Sequence, residues 1–219
     1  MGKATREYKF IDVKPFSPSL GAEIHGVDLS SDLPETQFNE IRDAFLDYQV
    51  LFFKGQSEIA PEQHIDFGKR FGKLHAHPAA PTMKGHPEIF EIHATRDSKV
   101  ANGEFWHSDV SCDEEPPLGT MLQIHIVPSC GGDTMFSNMY SAYDTLSKPI
   151  KQMIDGLTAL HSSEHIYKGR YSDRGRGDNE ISCPEASHPV VRTHPDTGKK
   201  ALYVNRTFTK QINELSQIE

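Results

Sequence analysis

The chain has no long apolar run, no excess of positive charge and few cysteines. No stretch approaches the roughly 20 consecutive apolar residues that a membrane helix needs, so we expect no membrane span. No apolar segment follows the first six residues, which predicts no secretory signal. The formal net charge of −8 argues against nucleic acid as a partner, because phosphate binding favours a basic face.

The three cysteines are Cys112, Cys130 and Cys183, an odd count without a Cys-x-x-Cys pair. This usage is typical of free thiols in a reducing compartment and supplies no zinc motif. We therefore expect a cytoplasmic protein. The twelve histidines are scattered along the chain, so composition alone says little about a metal.

Length and composition indicate one globular domain. The 219 residues, 36% of them hydrophobic and 25% charged, can bury one sizeable core. The sequence has no internal repeat, no low-complexity tract and no linker long enough to divide domains. It therefore predicts a single domain over residues 1–219. Residues 168–186 are charged and glycine-rich, which predicts a mobile loop or lid within that domain.

Local patterns predict short strands and two groups of helices. A helix begins after a capping box formed by Asp32 and Glu35, and a second helix spans about residues 61–71. A third helical stretch covers residues 141–156 and is interrupted at Pro149. The other predicted elements are strands at 50–53, 88–93, 119–127 and 133–136, a hairpin of 189–192 with 201–204, and a helix from Thr209. This order favours a mainly β sandwich or jelly roll with flanking helices.

The clearest chemical signal lies in residues 105–110 (FWHSDV), where His107 and Asp109 stand two residues apart. The flanking residues favour extended structure, and side chains at i and i+2 of a strand leave the same face. The imidazole and the carboxylate could then bind one metal ion while Ser108 points the other way. With a distant histidine, such a pair forms the two-His-one-carboxylate site of non-haem Fe(II) oxygenases. On its own, the tripeptide also fits a carboxylate that orients a structural histidine.

Five stretches make this signal more specific. They are residues 21–29 (GAEIHGVDL), 71–78 (FGKLHAHP), 106–110 (WHSDV), 128–134 (PSCGGDT) and 188–195 (HPVVRTHP). Through them the chain resembles the taurine dioxygenase / 2,4-dichlorophenoxyacetate dioxygenase family of Fe(II)- and 2-oxoglutarate-dependent oxygenases. The resemblance implies a double-stranded β-helix, or jelly roll. It also implies an Fe(II) cofactor, with 2-oxoglutarate and O2 consumed to give succinate and CO2 while a substrate C–H bond is hydroxylated.

The resemblance further implies a substrate class and an assembly. The substrate would be a small organic anion, such as taurine or another alkylsulfonate, a sulfate ester, or an aryloxy or alkyl carboxylate. Hydroxylation of a carbon that bears a sulfonate would expel sulfite. Family members are commonly dimers or tetramers, so we expect a homo-oligomer.

Site roles follow from the same resemblance. His107 and Asp109 would be two of the three iron ligands, and the hydroxyl of Thr134 would contact a 2-oxoglutarate carboxylate. His77 would bind the substrate anion with its imidazole. The full set of implied substrate-binding residues is His77, Asn102, Val110, Tyr167 and Phe208. The match at Asn102 is one residue out of register.

The sequence departs from the family pattern at two points. The third iron ligand, a histidine, and the arginine that holds 2-oxoglutarate have no match in the sequence. We expect both of them, and the last strands of the jelly roll, beyond residue 219. His188 and His194 are weak alternatives for the third ligand. The tyrosine that partners the substrate histidine in taurine enzymes corresponds to Ala80, which weakens the case for taurine itself.

Other interpretations stay open at this stage. The chain could be a catalytically incomplete fragment or a non-catalytic jelly-roll binding module, and a zinc or other metal hydrolase on a cupin-like scaffold is a third possibility. Several of the candidate site residues could also have purely structural roles. Thr134 has the β-propensity of any strand threonine, His77 could be a surface or capping residue, and Tyr167 and Phe208 could simply be core aromatics.

Overall fold

The computed structural model describes residues 6–95, 98, 103–171, 177, 179, 181–216 and 218. The strands in this part are β1 (Asp12–Pro15), β2 (Ala22–His25), β3 (Leu51–Phe53), β4 (Thr82–Met83), β5 (His86–Phe90), β6 (Thr158–Ser162), β7 (Glu185–Pro189), β8 (Val191–Thr193), β9 (Lys200–Leu202) and β10 (Thr209–Ile212). The helices are α1 (Glu35–Tyr48), α2 (Pro61–Lys69), α3 (Met139–Asp144), α4 (Lys148–Ile154) and α5 (Glu164–Tyr167). No described helix is long and apolar enough to span a bilayer.

The N-terminal part is a three-stranded sheet covered by two helices. β2 pairs antiparallel with β1 and parallel with β3, so α1 lies in the crossover between β2 and β3. The predicted apolar face of α1 is confirmed, with Phe38, Ile41 and Ala44 buried. These residues form the first core, whose buried members are Ile11, Ile24, Val27, Leu33, Phe38, Ile41, Ala44 and Phe67. The predicted capping box is wrong because Pro34 holds the N-cap position and no side chain caps the helix.

A second three-stranded sheet has the order β10-β6-β7, with both pairings antiparallel. The helix predicted from Thr209 is wrong, since that segment is β10 and pairs with β6. Hydrogen bonding to a distant strand decides its conformation there, and the β-branched Thr209 suits a strand. The sequence pattern also missed β6 and β7.

Smaller elements complete the described fold. The predicted hairpin is confirmed as β8 with β9, and the strand predicted near residues 88–93 is β5, which pairs with β4. The helical stretch at 141–156 forms two helices, α3 and α4. Pro149 lies in the first turn of α4, where its missing N–H would have no helical partner anyway.

The strands predicted at 119–127 and 133–136 are wrong, because both segments are irregular. A strand needs a neighbour to receive its backbone hydrogen bonds, and no described strand pairs with either segment. The apolar side chains of Leu122, Ile124 and Ile126 are 56%, 66% and 82% exposed. Apolar and polar residues alternate in this part of the sequence, but the segment forms no hydrogen-bonded pairing with another strand.

The predicted lid at 168–186 lies partly outside the described residues, which omit 172–176, 178 and 180. Its last two residues, 185 and 186, belong to β7, so the predicted end of the lid is wrong. Tyr171 from this stretch, together with residues on both sides of it, contributes to a second core. We use that name for the buried cluster of Ala79, Ala80, Val110, Cys112, Tyr167, Tyr171 and Phe208.

Candidate metal and substrate site

His107 and Asp109 form a close pair beside the second core. His107 Nε2 lies 3.0 Å from Asp109 Oδ1. The other ring nitrogen, Nδ1, lies 2.7 Å from the carbonyl oxygen of Phe105 and can only donate to it. Thr120 donates its hydroxyl to Asp109 Oδ2 over 2.5 Å. Each side chain is therefore held by a second group that directs Nε2 and Oδ1 at each other.

This geometry shifts the pKa values of both His107 and Asp109. The hydrogen bond from His107 holds the pKa of Asp109 below its usual value, and burial opposes that shift. The same hydrogen bond raises the pKa of His107, again against burial. Both ring nitrogens of His107 face oxygen atoms in this geometry, and a divalent cation would take the place of the proton between Nε2 and Oδ1.

The donor atoms fit two positions around a divalent metal ion. Two ligand atoms that are about 2.1 Å from one ion, at right angles around it, lie about 3 Å apart. The observed separation of Nε2 and Oδ1 is 3.0 Å. The bond from Nδ1–H to the Phe105 carbonyl fixes the ring and leaves Nε2 for a metal, as in most metal-binding histidines.

A third ligand is not found among the described residues, where no group of three or more His, Cys, Asp or Glu side chains could hold a metal ion. The two weak alternatives are engaged elsewhere. His188 Nε2 lies 2.9 Å from the carbonyl oxygen of Asp113. His194 Nδ1 accepts backbone N–H groups of Asp196 and Thr197.

Asp109 lies in a turn and His107 in the irregular segment just before it, so the strand predicted for the pair is wrong. Ser111 N donates to Ser108 O over 3.3 Å, and Asp113 N donates to Val110 O over 3.0 Å. Val110 has a φ of +47°, a region that a β-branched residue occupies at a cost of about 1–3 kcal/mol. The turn buries the Val110 side chain in the second core, which offsets that cost.

Four of the five predicted substrate residues meet in and around this core. The ring of His77 is 5.1 Å from that of Tyr167, whose ring is 6.1 Å from that of Phe208. Val110 packs in the same cluster. The fifth residue, Asn102, lies outside the described residues.

Backbone hydrogen bonds fix the protonation of His77. Ala79 N and Ala80 N donate to His77 Nδ1 over 3.1 and 2.9 Å. A nitrogen that accepts these bonds carries no proton, so Nε2 carries it and acts as a donor. The rings of Phe90 and Tyr171 enclose the imidazole together with Tyr167.

Thr134 lies in an exposed segment after the Gly131–Gly132 turn. Both glycines have positive φ, +78° and +75°, as the predicted turn requires. No hydrogen bond in the described part of the chain joins Thr134 to the His107–Asp109 pair. Its contact with 2-oxoglutarate stays a prediction.

Sequence reasoning missed the groups that hold the pair in place. Thr120 is eleven residues after Asp109 and carries no motif. Ser111 and His161 form a buried hydrogen bond of 2.9 Å across a separation of 50 residues. Phe90 and Tyr171 look like ordinary core aromatics.

His161 has an unusual environment. Burial lowers its pKa to about 4, and neighbouring His188 adds to the shift. Within the described residues its Nε2 is a buried atom without a hydrogen-bond partner.

His161 should weaken the fold in mild acid. Its pKa is about 4 in the folded protein against 6.5 normally, so below pH 6.5 the unfolded chain binds a proton that the folded protein does not. This group should lower the free energy of unfolding by about 2 kcal/mol between pH 7 and 5. Urea unfolding of wild type and His161→Leu at both pH values measures it. An equal loss in both proteins would contradict the assignment.

Comparisons with known proteins bear on the family of the chain. The model of the taurine catabolism dioxygenase TauD, TfdA family matches residues 12–219. An alpha-ketoglutarate-dependent sulfate ester dioxygenase of Pseudomonas putida is 34% identical over 213 residues, which cover 94% of this chain and 69% of that protein. The alpha-ketoglutarate-dependent sulfonate dioxygenase of Saccharomyces cerevisiae is 33% identical over 220 residues, covering 95% and 52%.

Comparison with solved structures indicates the same family. The crystal structure of a taurine dioxygenase from Burkholderia xenovorans matches with a TM-score of 0.73 at 34% identity, covering 95% of this chain and 68% of that one. The chain thus spans between 52% and 69% of the length of these relatives. With the family model matched from residue 12 to residue 219, the chain belongs to the taurine catabolism dioxygenase TauD, TfdA family, as the sequence resemblance predicted.

Proposed function

We propose that the chain acts as an Fe(II)- and 2-oxoglutarate-dependent dioxygenase that hydroxylates a small organic anion, on a jelly-roll scaffold. The observation that supports this most directly is the 3.0 Å approach of His107 Nε2 to Asp109 Oδ1, each held from behind by its own partner. The iron, when bound, would supply the O2-dependent oxidation of a C–H bond, coupled to conversion of 2-oxoglutarate to succinate and CO2. His107 and Asp109 would hold that iron.

The protein groups have distinct tasks in this proposal. Phe105 fixes the ring of His107 so that Nε2 faces the metal, and Thr120 leaves Oδ1 of Asp109 as the atom available to it. Thr134 would donate its hydroxyl to a carboxylate of 2-oxoglutarate. Asn102 remains proposed as a substrate contact from the resemblance alone.

The substrate proposal rests on His77 and the aromatic rings around it. Its Nε2–H can donate to an anionic oxygen, and its fixed ring needs no reorientation to do so. Val110, Tyr167 and Phe208 offer apolar contact to the carbon part of the substrate, as in most small-molecule sites. Relatives named for sulfate esters, sulfonates and (S)-phenoxypropionate all act on such molecules. A homo-oligomer and a cytoplasmic location stay predictions.

The activity is tested by coupled turnover. The protein is loaded with Fe(II) without oxygen, mixed with 2-oxoglutarate, and exposed to O2 with an alkyl sulfate, an alkylsulfonate, a phenoxypropionate or no addition. We expect succinate release that at least one of these anions stimulates. Metal-bound protein that releases no succinate under any condition would refute the proposal. Turnover with zinc and without 2-oxoglutarate would favour a hydrolase instead.

A further inference from the structure

A buried hydrogen-bond chain lies behind the metal pair and has no part in the proposed chemistry. Ser111 stands two residues after Asp109, and its Oγ lies 2.9 Å from Nδ1 of His161 in β6. Asn205 Nδ2 donates to the same Oγ over 3.0 Å. Ser111 and His161 both have 0% of their surface exposed. The chain thus connects the turn that carries Asp109 to the interior of the second sheet.

The direction of the two bonds made by the Asn205 side chain is well defined. Phe208 N donates to Asn205 Oδ1 over 2.8 Å, which turns the amide NH2 towards Ser111. Ser111 Oγ therefore accepts from Asn205 and keeps a proton and a lone pair for His161. Every polar atom of Ser111 that faces the interior is used, so its place is fixed by two other elements of the fold.

His161 is the rigid end of this chain. β6 is the central strand of its sheet, and His161 is paired with Thr209 of β10 on one side and Ala186 of β7 on the other. Its ring stacks on Tyr203 at 5.6 Å and meets the ring of His188 edge-on at 5.4 Å. Because the imidazole is held in this way, it stays in place if the turn shifts. The hydrogen bond between the imidazole and Ser111 therefore restrains the position of the turn.

At the other end of this hydrogen-bond chain, the His107–Asp109 pair is less constrained than His161. The side chains of His107 and Asp109 are 31% and 45% exposed, and Val110 next to them is in a left-handed conformation that valine disfavours. Released from its anchors, the turn would relax towards an ordinary valine conformation and move Asp109. Asp113, at the end of the turn, has a separate anchor in His75, 2.5 Å away. Ser111 is the anchor closer to Asp109.

We propose that His161 is a positioning residue for the metal site, which through Ser111 holds the strained turn that places Asp109 against His107. The inference rests on the proposed function, since it takes this pair to be the iron-binding pair. A purely structural role for His161 would change stability and leave metal affinity alone. A positioning role changes metal affinity beyond any change in stability, and it passes through Ser111.

The test is the affinity of the protein for Fe(II) alone, titrated without oxygen, with Mn(II) as a spectroscopic substitute. His161→Leu and Ser111→Ala should each weaken binding by about 10-fold, the lower end for loss of a group behind a metal ligand. His161→Asn, which places an amide near the Nδ1 position, should recover most of the affinity. The double variant should bind like either single one, because both remove the same bond.

Ala159→Gly is the matched control. Ala159 is fully buried on the same strand, and its loss should reduce stability without changing metal affinity. Wild-type affinity in His161→Leu and Ser111→Ala, or fully additive losses in the double variant, would overturn the positioning role. A wild-type protein that binds neither metal would instead refute the proposed function, so the two failures are distinguishable.

Discussion

Replacing His107 by alanine should weaken Fe(II) binding by more than about 100-fold and remove succinate formation. The substitution deletes Nε2, one of the two donor atoms that lie 3.0 Å apart, and leaves Asp109 as a single carboxylate. Loss of a group behind a ligand already costs about 10- to 100-fold in affinity, and loss of the ligand itself should exceed that. Titration with Fe(II) without oxygen measures the affinity, and succinate release measures the turnover.

His194→Ala is the control for this experiment. His194 lies in the loop between β8 and β9, where its Nδ1 accepts backbone N–H groups of Asp196 and Thr197. It should bind metal and turn over like wild type. Wild-type metal affinity in His107→Ala would remove the proposed iron site, and a loss in His194→Ala would point to this histidine as a ligand after all.

His77→Asn should reduce kcat/KM for an anionic substrate by about 10- to 100-fold, through KM more than through kcat. Asparagine can still accept the N–H groups of Ala79 and Ala80 in place of Nδ1, so the local turn should persist. It has no atom at the Nε2 position, so the donor to the substrate anion is lost. A hydrogen bond to a charged group contributes about 1.5–3 kcal/mol, which corresponds to this loss.

The comparison for His77 is His86→Asn. His86 begins β5, and its Nε2 lies 3.4 Å from Glu62 Oε1. Its substitution should leave kcat/KM unchanged. Fe(II) affinity should also be normal in both variants, which separates substrate binding from metal binding. An unchanged kcat/KM in His77→Asn would show that His77 has a structural role only.

The site residues that can be predicted from the sequence are those that belong to short motifs. His107, Asp109 and His77 stand in local stretches, and a resemblance to relatives assigns them roles without any structure. The supporting groups have no such signal. Ser111 meets His161 across 50 residues and Asn205 across 94, so only the fold brings them together. The turn at Val110 was also hidden, because valine in isolation favours extended structure.

Some elements of the fold can likewise be predicted from local sequence patterns, and others cannot. α1 and α2 have clear helical spacing, and the β8–β9 hairpin has a clear turn, so local patterns are sufficient for them. β10 depends on pairing with β6, and residues 119–127 show that alternation without a partner strand gives no ladder. In both segments the hydrogen-bond partner decides the conformation, and a partner cannot be read from the segment itself.

The two cores also differ in when they can exist during synthesis. The buried members of the first core all lie between residues 11 and 67, whereas the second core needs residues from 79 to 208. Phe208 leaves the ribosome 141 residues after Phe67 (208 − 67), or roughly 7–30 s later at typical rates of elongation. His107 and Asp109 are added early in that interval, and His161 and Asn205 are added later. For the proposed iron site, metal binding with all its supporting groups in place should therefore follow the synthesis of residue 205, when the residues of the first core have long been made.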